Sequence, residues 1–337
     1  MRETLVTGVA GFIGSHLAER LLADGYRVIG IDCFTDYYPR AIKEQNLAAL
    51  RAHAHFTFVE EDLLRADLVV LLAGRGVEWV FHLAAQAGVR ASWGNSFEIY
   101  TQNNILATQR LLEAARNARV SRFVFASSSS IYGDAETLPT REEVTPLPIS
   151  PYGVTKLACE HLARLYFRHY GVPTVALRYF TVYGPRQRPD MAFHKFIRAA
   201  LEDREIVVYG DGEQTRDFTF VADAVDGTVR AAQYGEAGAV YNLGGGARVS
   251  VNAVLHELEA ILGKRVMVRY AEPQAGDVRH TSADCTRAAR VLGYAPRTPL
   301  REGLRAEVEW VRGQKAEVRG QRSEVSGTVR QWEVNSG

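Results

Sequence analysis

Cysteine is scarce in this 337-residue sequence: Cys33, Cys159 and Cys285 are the only three. They are odd in number and far apart, so they form neither a disulfide framework nor a paired metal-ligand motif, and a reducing cytoplasm is expected. Long apolar runs are missing as well. The longest, such as Leu68 to Ala73, fall far short of the roughly 20 residues a spanning helix needs, which excludes a helical membrane protein. Charge of one sign is not in excess either: 40 Lys and Arg stand against 39 Asp and Glu, a net charge of +1. Nothing there drives the chain toward nucleic acid or an anionic membrane. Proline is sparse at 11 residues, and with 47% hydrophobic and 23% charged residues the composition is that of a folded globular protein. Met1-Arg2-Glu3 leads straight into Thr4-Leu5-Val6-Thr7 without a basic start, a long apolar region or a cleavage site, so no signal peptide is expected. His16, His82 and His194 show no metal-ligand spacing, and no metal is expected.

What the sequence does hold is rhythm. Short β-rich runs at Thr4–Thr7, Arg27–Ile31, Phe56–Val59, Trp79–Leu83, Phe123–Ala126 and Thr174–Phe180 alternate with helical patterns. Ile13, Leu17 and Leu21 lie on one helical face between the first two. Parallel neighbours need a crossover, usually a helix, so this alternation predicts a doubly wound parallel α/β domain. After Phe180 the chain breaks into Gly- and Pro-punctuated loops around two more helical patterns, Phe193–Leu201 and Ser250–Leu262, the latter with Ser250 as its expected N-cap. This reads as a smaller C-terminal lobe. The pattern from Val221 to Ala232 is expected to return to the large domain. The predicted division is 1–180 with 215–243 returning to it, a lobe of 181–214 and 244–312, and a flexible tail over 313–337, where large apolar residues are few.

Gly8, Gly11 and Gly14 stand three apart in Gly8-Val9-Ala10-Gly11-Phe12-Ile13-Gly14, after the first strand and at the start of the first helix. Glycine lets backbone approach a pyrophosphate, whose charge the free N–H groups of a helix N-terminus favour. Asp32, ending the next strand, can accept hydrogen bonds from both adenosine ribose hydroxyls and would repel a 2′-phosphate, which favours NAD over NADP. Asp62-Leu63 follows the third strand, where a carboxylate can meet the adenine amino group or cap a helix. The small residues of Leu83-Ala84-Ala85-Gln86 leave room for a cofactor or allow close helix packing.

Tyr152 and Lys156, four apart after Pro151, share one face of a predicted helix. An ammonium beside a phenol favours the phenolate, turning a poor base into a usable one. The run Ser127-Ser128-Ser129-Ser130 ends the preceding strand, and a hydroxyl there can share the reacting substrate hydroxyl. Arg90 and Arg279 are candidate anion contacts, with a surface role open for each.

Together, Gly8-x-x-Gly11-x-x-Gly14, Ser128 to Gly133 and Tyr152-x-x-x-Lys156 resemble the extended short-chain dehydrogenase/reductase family, specifically its nucleotide-sugar epimerases and dehydratases, over residues 4 to 312. Asn103-Asn104 through Thr108, Tyr179 to Gly184, Arg216-Asp217-Phe218 and Tyr241-Asn242-Leu243-Gly244 resemble further landmarks of that family. The resemblance implies a Rossmann domain with a C-terminal lobe that holds a UDP-sugar, Asn103 among the cofactor contacts, Arg216 at the diphosphate, Tyr152, Lys156 and Ser128 as the catalytic group, and a homodimer built on helices around Asn103–Ala115 and Tyr152–Tyr170. Where the family's dehydratases carry Thr-Asp-Glu, this chain has Ser128, Ser129 and Ser130. With no acid to expel a hydroxyl, epimerisation is favoured. Thr181 and the Arg188-Pro189-Asp190-Met191 run resemble UDP-glucuronate 4-epimerases, in which the matching threonine and arginine sit at the sugar carboxylate; Ser127 and Ser129 are further candidates there. The function implied is NAD-dependent 4-epimerisation of UDP-glucuronate through a 4-keto sugar, the same cofactor returning the hydride. Its alternatives are a UDP-glucose or UDP-xylose 4-epimerase, a UDP-glucuronate decarboxylase and a non-catalytic NAD-binding regulator.

Overall fold

A computed structural model describes residues 2–274 and 276–314 of the chain. In its first half the elements run β1 (Glu3–Thr7), α1 (Phe12–Ala23), β2 (Arg27–Asp32), α2 (Arg40–Arg51), β3 (Phe56–Glu60), α3 (Leu68–Ala73), β4 (Trp79–His82), α4 (Phe97–Tyr100), a π-helical segment (Thr101–Leu106), α5 (Ala107–Ala118), β5 (Arg122–Ser128), α6 (Pro151–Tyr170) and β6 (Thr174–Tyr179). There follow β7 (Val182–Tyr183), α7 (Ala192–Leu201), β8 (Ile206–Tyr209), β9 (Thr215–Asp217), β10 (Thr219–Phe220), α8 (Val221–Tyr234), β11 (Val240–Leu243), β12 (Arg248–Ser250), α9 (Val251–Leu262), β13 (Val268–Ala271) and α10 (Thr286–Leu292). Each of the six strands read from the sequence is present, with ends moved by one or two residues.

Seven parallel strands form one sheet in the order β3-β2-β1-β4-β5-β6-β11. Alternation along each strand divides its side chains between two helical layers. Val6, Phe81 and Val124 face Leu17 and Leu21 of α1 and Val225 and Val229 of α8. Their neighbours Leu5, Val80 and Phe123 face Leu72 of α3, Leu111 and Leu112 of α5 and Cys159 of α6. Strand order reverses between β1 and β4, and a crevice opens there at the carboxyl ends of the strands.

The expected return of the chain splits in two. Helix α8 packs on α1 and β11 extends the sheet beside β6, but Thr215–Asp217 pairs antiparallel with β12 instead. The lobe has its own core, in which Phe193 and Ile197 of α7 meet Ile206, Val208, Leu255 and Leu258. Ser250 caps α9 through a hydrogen bond from the Ala253 N–H at 3.2 Å. Leu304, Val308 and Val311 close the lobe core from a helical stretch over 300–314, so the first two residues of the predicted tail are helical. The rest of that tail, 315–337, lies outside the described residues. None of the described helices is long and apolar enough to cross a membrane.

Candidate active site

The glycine turn is shaped by contact rather than by flexibility alone. Gly8 has φ +69°, and a Cβ there would lie 2.9 Å from the Ala84 backbone on the neighbouring strand end; a Cβ on Gly14 would lie 2.2 Å from the Gly8 carbonyl oxygen. Gly11 begins α1 with no side chain capping it, so the first N–H groups of the helix face the crevice. Asp32 stands beside this turn and accepts the Ala10 N–H at 3.1 Å and the Phe34 N–H at 2.9 Å, one on each oxygen. Burial pushes its pKa up, against the pull of the Phe34 N–H and Lys43. Each carboxylate oxygen keeps a further acceptor position.

One crevice collects every predicted cofactor residue. Gly8, Gly11, Phe12, Ile13, Gly14, Asp32, Asp62, Leu63, Leu83, Ala84, Ala85, Gln86, Asn103, Tyr152 and Lys156 line it, together with Ser127 and Arg188. Asp62 caps no helix, since Asp67 is the N-cap of α3; one Asp62 oxygen instead accepts the Leu64 N–H at 2.9 Å and fixes a tight turn, and the residue borders the crevice.

Tyr152 is positioned by three elements. Ser150 caps α6 by accepting the Gly153 N–H at 3.1 Å, and the Tyr152 N–H donates to Ser92 Oγ at 3.1 Å. Asn104, in the π-helical segment, accepts the Gln86 N–H at 2.7 Å and donates to Thr155 Oγ at 2.9 Å, and Thr155 donates to the Tyr152 carbonyl at 2.8 Å. The Asn104 carbonyl, which takes the Ala107 N–H at the end of that segment, also accepts from Cys159 Sγ at 3.4 Å. Lys156 is 4% exposed; its Nζ donates to the Ala126 carbonyl at 2.9 Å and lies 5.9 Å from the Tyr152 ring centroid. An ammonium so placed favours negative charge on the phenol oxygen.

The serine run divides by role. Ser127 Oγ donates to Glu160 at 2.5 Å, and Glu160 forms a bidentate pair with buried Arg178, which also holds Tyr132 Oη at 2.7 Å. The Ser127 hydroxyl, expected at the substrate, therefore points into this buried network even though the residue borders the crevice. Ser128 Oγ accepts the Ser130 N–H at 3.1 Å and caps a short 3₁₀ turn, and Ser129 lies within that turn. Ser128, Ser129 and Thr181 are not among the residues lining the crevice; Thr181 gives its carbonyl to the Thr219 N–H at 2.9 Å.

The predicted substrate arginines fall into two groups. Arg188 lines the crevice and pairs with Asp190 through two bonds of 2.9 Å. Burial opposes its charge, but Asp190 outweighs burial and the net effect raises its pKa. Arg90, Arg216 and Arg279 gather instead at the lobe. Arg90 donates to Asp277 at 2.5 Å, Arg279 to Asp211 at 2.8 Å, and Arg216 to the carbonyls of Thr215 and Arg279 at 2.9 and 3.1 Å. Burial lowers the Arg216 pKa, which makes an anion there more welcome.

Residues that drew no functional reading turn out to brace the site. His82 is fully buried and its pKa is lowered to about 3, first by burial and then by Lys156. The Leu83 and Ala84 N–H groups both donate to Thr7 Oγ, so the network assigns the Thr7 hydroxyl proton to His82 Nδ1, at 2.8 Å. His82 Nε2–H then donates to Thr108 at 2.9 Å. The loop bearing Arg188 is tied to the glycine-turn helix: His16 donates to the Pro185 carbonyl at 2.9 Å, and Arg186 reaches Ser15 at 3.2 Å and Glu19 at 2.7 Å. No local pattern announces these partners, which lie about 170 residues apart in sequence.

Comparison with known proteins agrees with this geometry. Residues 4–244 match the NAD dependent epimerase/dehydratase family. A Bacillus subtilis protein named an uncharacterized UDP-glucose epimerase is 47% identical over 311 residues, 92% of this chain and 98% of its own. A UDP-glucuronate 4-epimerase of Thermodesulfobacterium geofontis is 38% identical over 312 residues, 91% of this chain and 95% of its own. Among solved structures, the UDP-glucuronic acid 4-epimerase of Bacillus cereus in complex with UDP-glucuronic acid and NAD superposes with a TM-score of 0.90 at 44% identity, covering 93% of this chain and 99% of that one. The glycine turn, the Tyr152/Lys156 pair and these relatives converge: the chain belongs to the NAD dependent epimerase/dehydratase family.

Proposed function

We propose that this chain is an NAD-dependent UDP-glucuronate 4-epimerase, interconverting UDP-glucuronate and UDP-galacturonate. The observation that carries the reading is Arg188, a cation in the wall of the crevice that Tyr152 and Lys156 also line. A C6 carboxylate needs such a partner and a neutral hexose does not. The uncapped helix start at Gly11 fits a pyrophosphate, and the open acceptor positions of Asp32 fit a ribose diol. Gly8, Gly11, Phe12, Ile13, Gly14, Asp32, Asp62, Leu63, Leu83 to Gln86 and Asn103 would hold the cofactor. NAD, when bound, supplies a hydride acceptor and donor at the sugar.

Tyr152 Oη takes the proton of the C4 hydroxyl and returns it, Lys156 Nζ stabilises the phenolate charge, and Ser128 shares the same hydroxyl. The resulting 4-keto sugar is a β-keto acid, which loses CO₂ when its C5–C6 bond stands perpendicular to the carbonyl plane. Arg188 and Thr181 hold the carboxylate out of that alignment while the ketone turns to present its other face. Arg216, Arg90 and Arg279 bind the nucleotide diphosphate, which is supported by the burial of Arg216 beside the lobe. A homodimer fits the exposed Ile99 and Leu106 ahead of α5 and Val154, Leu165 and Tyr170 on α6, and a monomeric mass in sedimentation would remove it. Cytoplasmic placement is supported by three free thiols.

Purified protein incubated with UDP-glucuronate, without added reductant, and followed by proton NMR is expected to yield UDP-galacturonate, with little UDP-galactose from a parallel UDP-glucose sample. Reaction of UDP-glucose alone would make this a neutral-sugar epimerase, and UDP-xylose or a 4-keto pentose would make it a decarboxylase.

A further inference from the structure

Arg188 is gripped by a neighbour that the reaction above does not use. Asp190 Oδ1 accepts from Nε and Oδ2 from Nη2, both at 2.9 Å. A guanidinium carries five N–H donors in a planar fork with two bidentate edges. Asp190 takes the edge made by Nε and one Nη2 hydrogen. One Nη1 hydrogen and the second Nη2 hydrogen form the other edge, which Asp190 leaves open, and the Tyr37 side chain also hydrogen-bonds the guanidinium. Asp190 is braced in turn: Tyr37 Oη donates to Oδ2 at 3.2 Å, and the Arg188 guanidinium lies 5.7 Å from the Tyr37 ring centroid. Tyr37 borders the same crevice, and its hydroxyl fits against bare backbone, since a Cβ on Gly88 would lie 2.4 Å from Oη.

We infer that Asp190 is a positioning residue for uronate recognition: braced by Tyr37, it clamps one edge of Arg188 so that the other is presented to the sugar carboxylate. The inference rests on the UDP-glucuronate reading. A bidentate clamp fixes the guanidinium plane before the substrate arrives, so less side-chain freedom is lost on binding. It also holds the incoming carboxylate in one plane. Without it, the 4-keto sugar has a competing exit: the C5–C6 bond breaks, its electron pair passes into the enolate spanning C4 and C5, CO₂ leaves, and a proton added at C5 gives a 4-keto pentose. The bond-breaking step itself needs no oxidant or reductant, and release of the 4-keto pentose would consume one bound NAD per event.

The test uses the intact NAD-loaded protein with Asp190→Asn and, separately, Tyr37→Phe. Calorimetric binding of UDP-glucuronate and UDP-glucose is measured beside NMR analysis of products, with thermal melting to check the fold. Asp190→Asn is expected to weaken UDP-glucuronate binding about tenfold, the loss of one charge-assisted contact, while leaving UDP-glucose unchanged and raising the 4-keto pentose share of turnover. Tyr37→Phe, which leaves the Arg188–Asp190 pair in place, is expected to shift the same readouts in the same direction by about twofold. Equal weakening of both sugars overturns the clamp, and so does tighter UDP-glucuronate binding, which would make Asp190 a competitor for Arg188. Normal conversion of UDP-glucuronate with an unaffected Asp190→Asn variant overturns the clamp alone. A wild-type protein that converts only UDP-glucose overturns the substrate reading and the clamp with it.

Discussion

The two sides of the crevice are built from different material. On the β1–β4 side the wall is backbone: the Gly8 turn lies against Ala84, Asp32 is fixed by two N–H groups, and Thr7, His82 and Thr108 lock the strand ends beneath. Toward the lobe, loops are held by ion pairs, Arg188 with Asp190 at the crevice and Arg90 with Asp277 and Arg279 with Asp211 at the lobe itself. The solvent-screened pairs at the lobe, Arg90 with Asp277 and Arg279 with Asp211, contribute little, so they can change partner when an anion arrives, whereas the half-buried Arg188–Asp190 pair holds its guanidinium plane. A buried, sterically closed turn has no such alternative. The glycine-turn side is therefore held by geometry that the sheet enforces, and the lobe side by charges carried on loops.

The comparison can be broken at several points. Tyr152→Phe removes the proposed proton carrier and is expected to lower turnover by about 10²–10⁴-fold while UDP-sugar binding persists, as measured by NMR progress curves and calorimetry. Survival of more than a tenth of the activity would move the acid–base role elsewhere. Arg188→Ala, on the loop side, is expected to weaken UDP-glucuronate by about 1.5–3 kcal/mol and UDP-glucose by far less, with no change in melting temperature. An equal loss for both sugars would remove the carboxylate contact. Gly14→Ala is expected to cost about 1–3 kcal/mol of stability and to reduce cofactor retention, because the added methyl meets the Gly8 carbonyl oxygen at 2.2 Å; unchanged melting and an unchanged NAD content after gel filtration would show that the turn yields.

A further effect, on stability, concerns pH. His82 titrates near 3 when folded, so between about 6.5 and 3 the unfolded chain binds a proton that the folded one does not. Stability then falls as pH drops through that window, by up to about 1.4 kcal/mol per unit, and levels off below it. Chemical denaturation across pH 4–7 should show a shallower slope for His82→Gln than for the wild type. Parallel slopes would mean that His82 is protonated within the fold.

Much of the rigid side was legible in advance, because its signals are local. A strand, three glycines and a helix follow one another within about a dozen residues, and Tyr152 and Lys156 share a helical face. The serine run was legible as chemistry but not as direction: Ser127 turns to Glu160, a partner 33 residues away that only the packing of α6 on β5 brings near. Segment 215–243 was harder still, since Thr215–Asp217 finds its pairing partner in β12, β10 pairs with β7, and only α8 and β11 join the large domain.

By itself the sequence determined the class of fold, the dinucleotide turn and the Tyr–Lys pair, since hydrophobic period, glycine sterics and a helical repeat act between near neighbours and need no distant partner. Tertiary structure decided what each charge and hydroxyl faces. Arg186 reaches Glu19, Arg178 reaches Glu160 and Arg90 reaches Asp277, and hydrogen bonds are directional over about 3 Å, a scale that only the folded arrangement of distant segments sets.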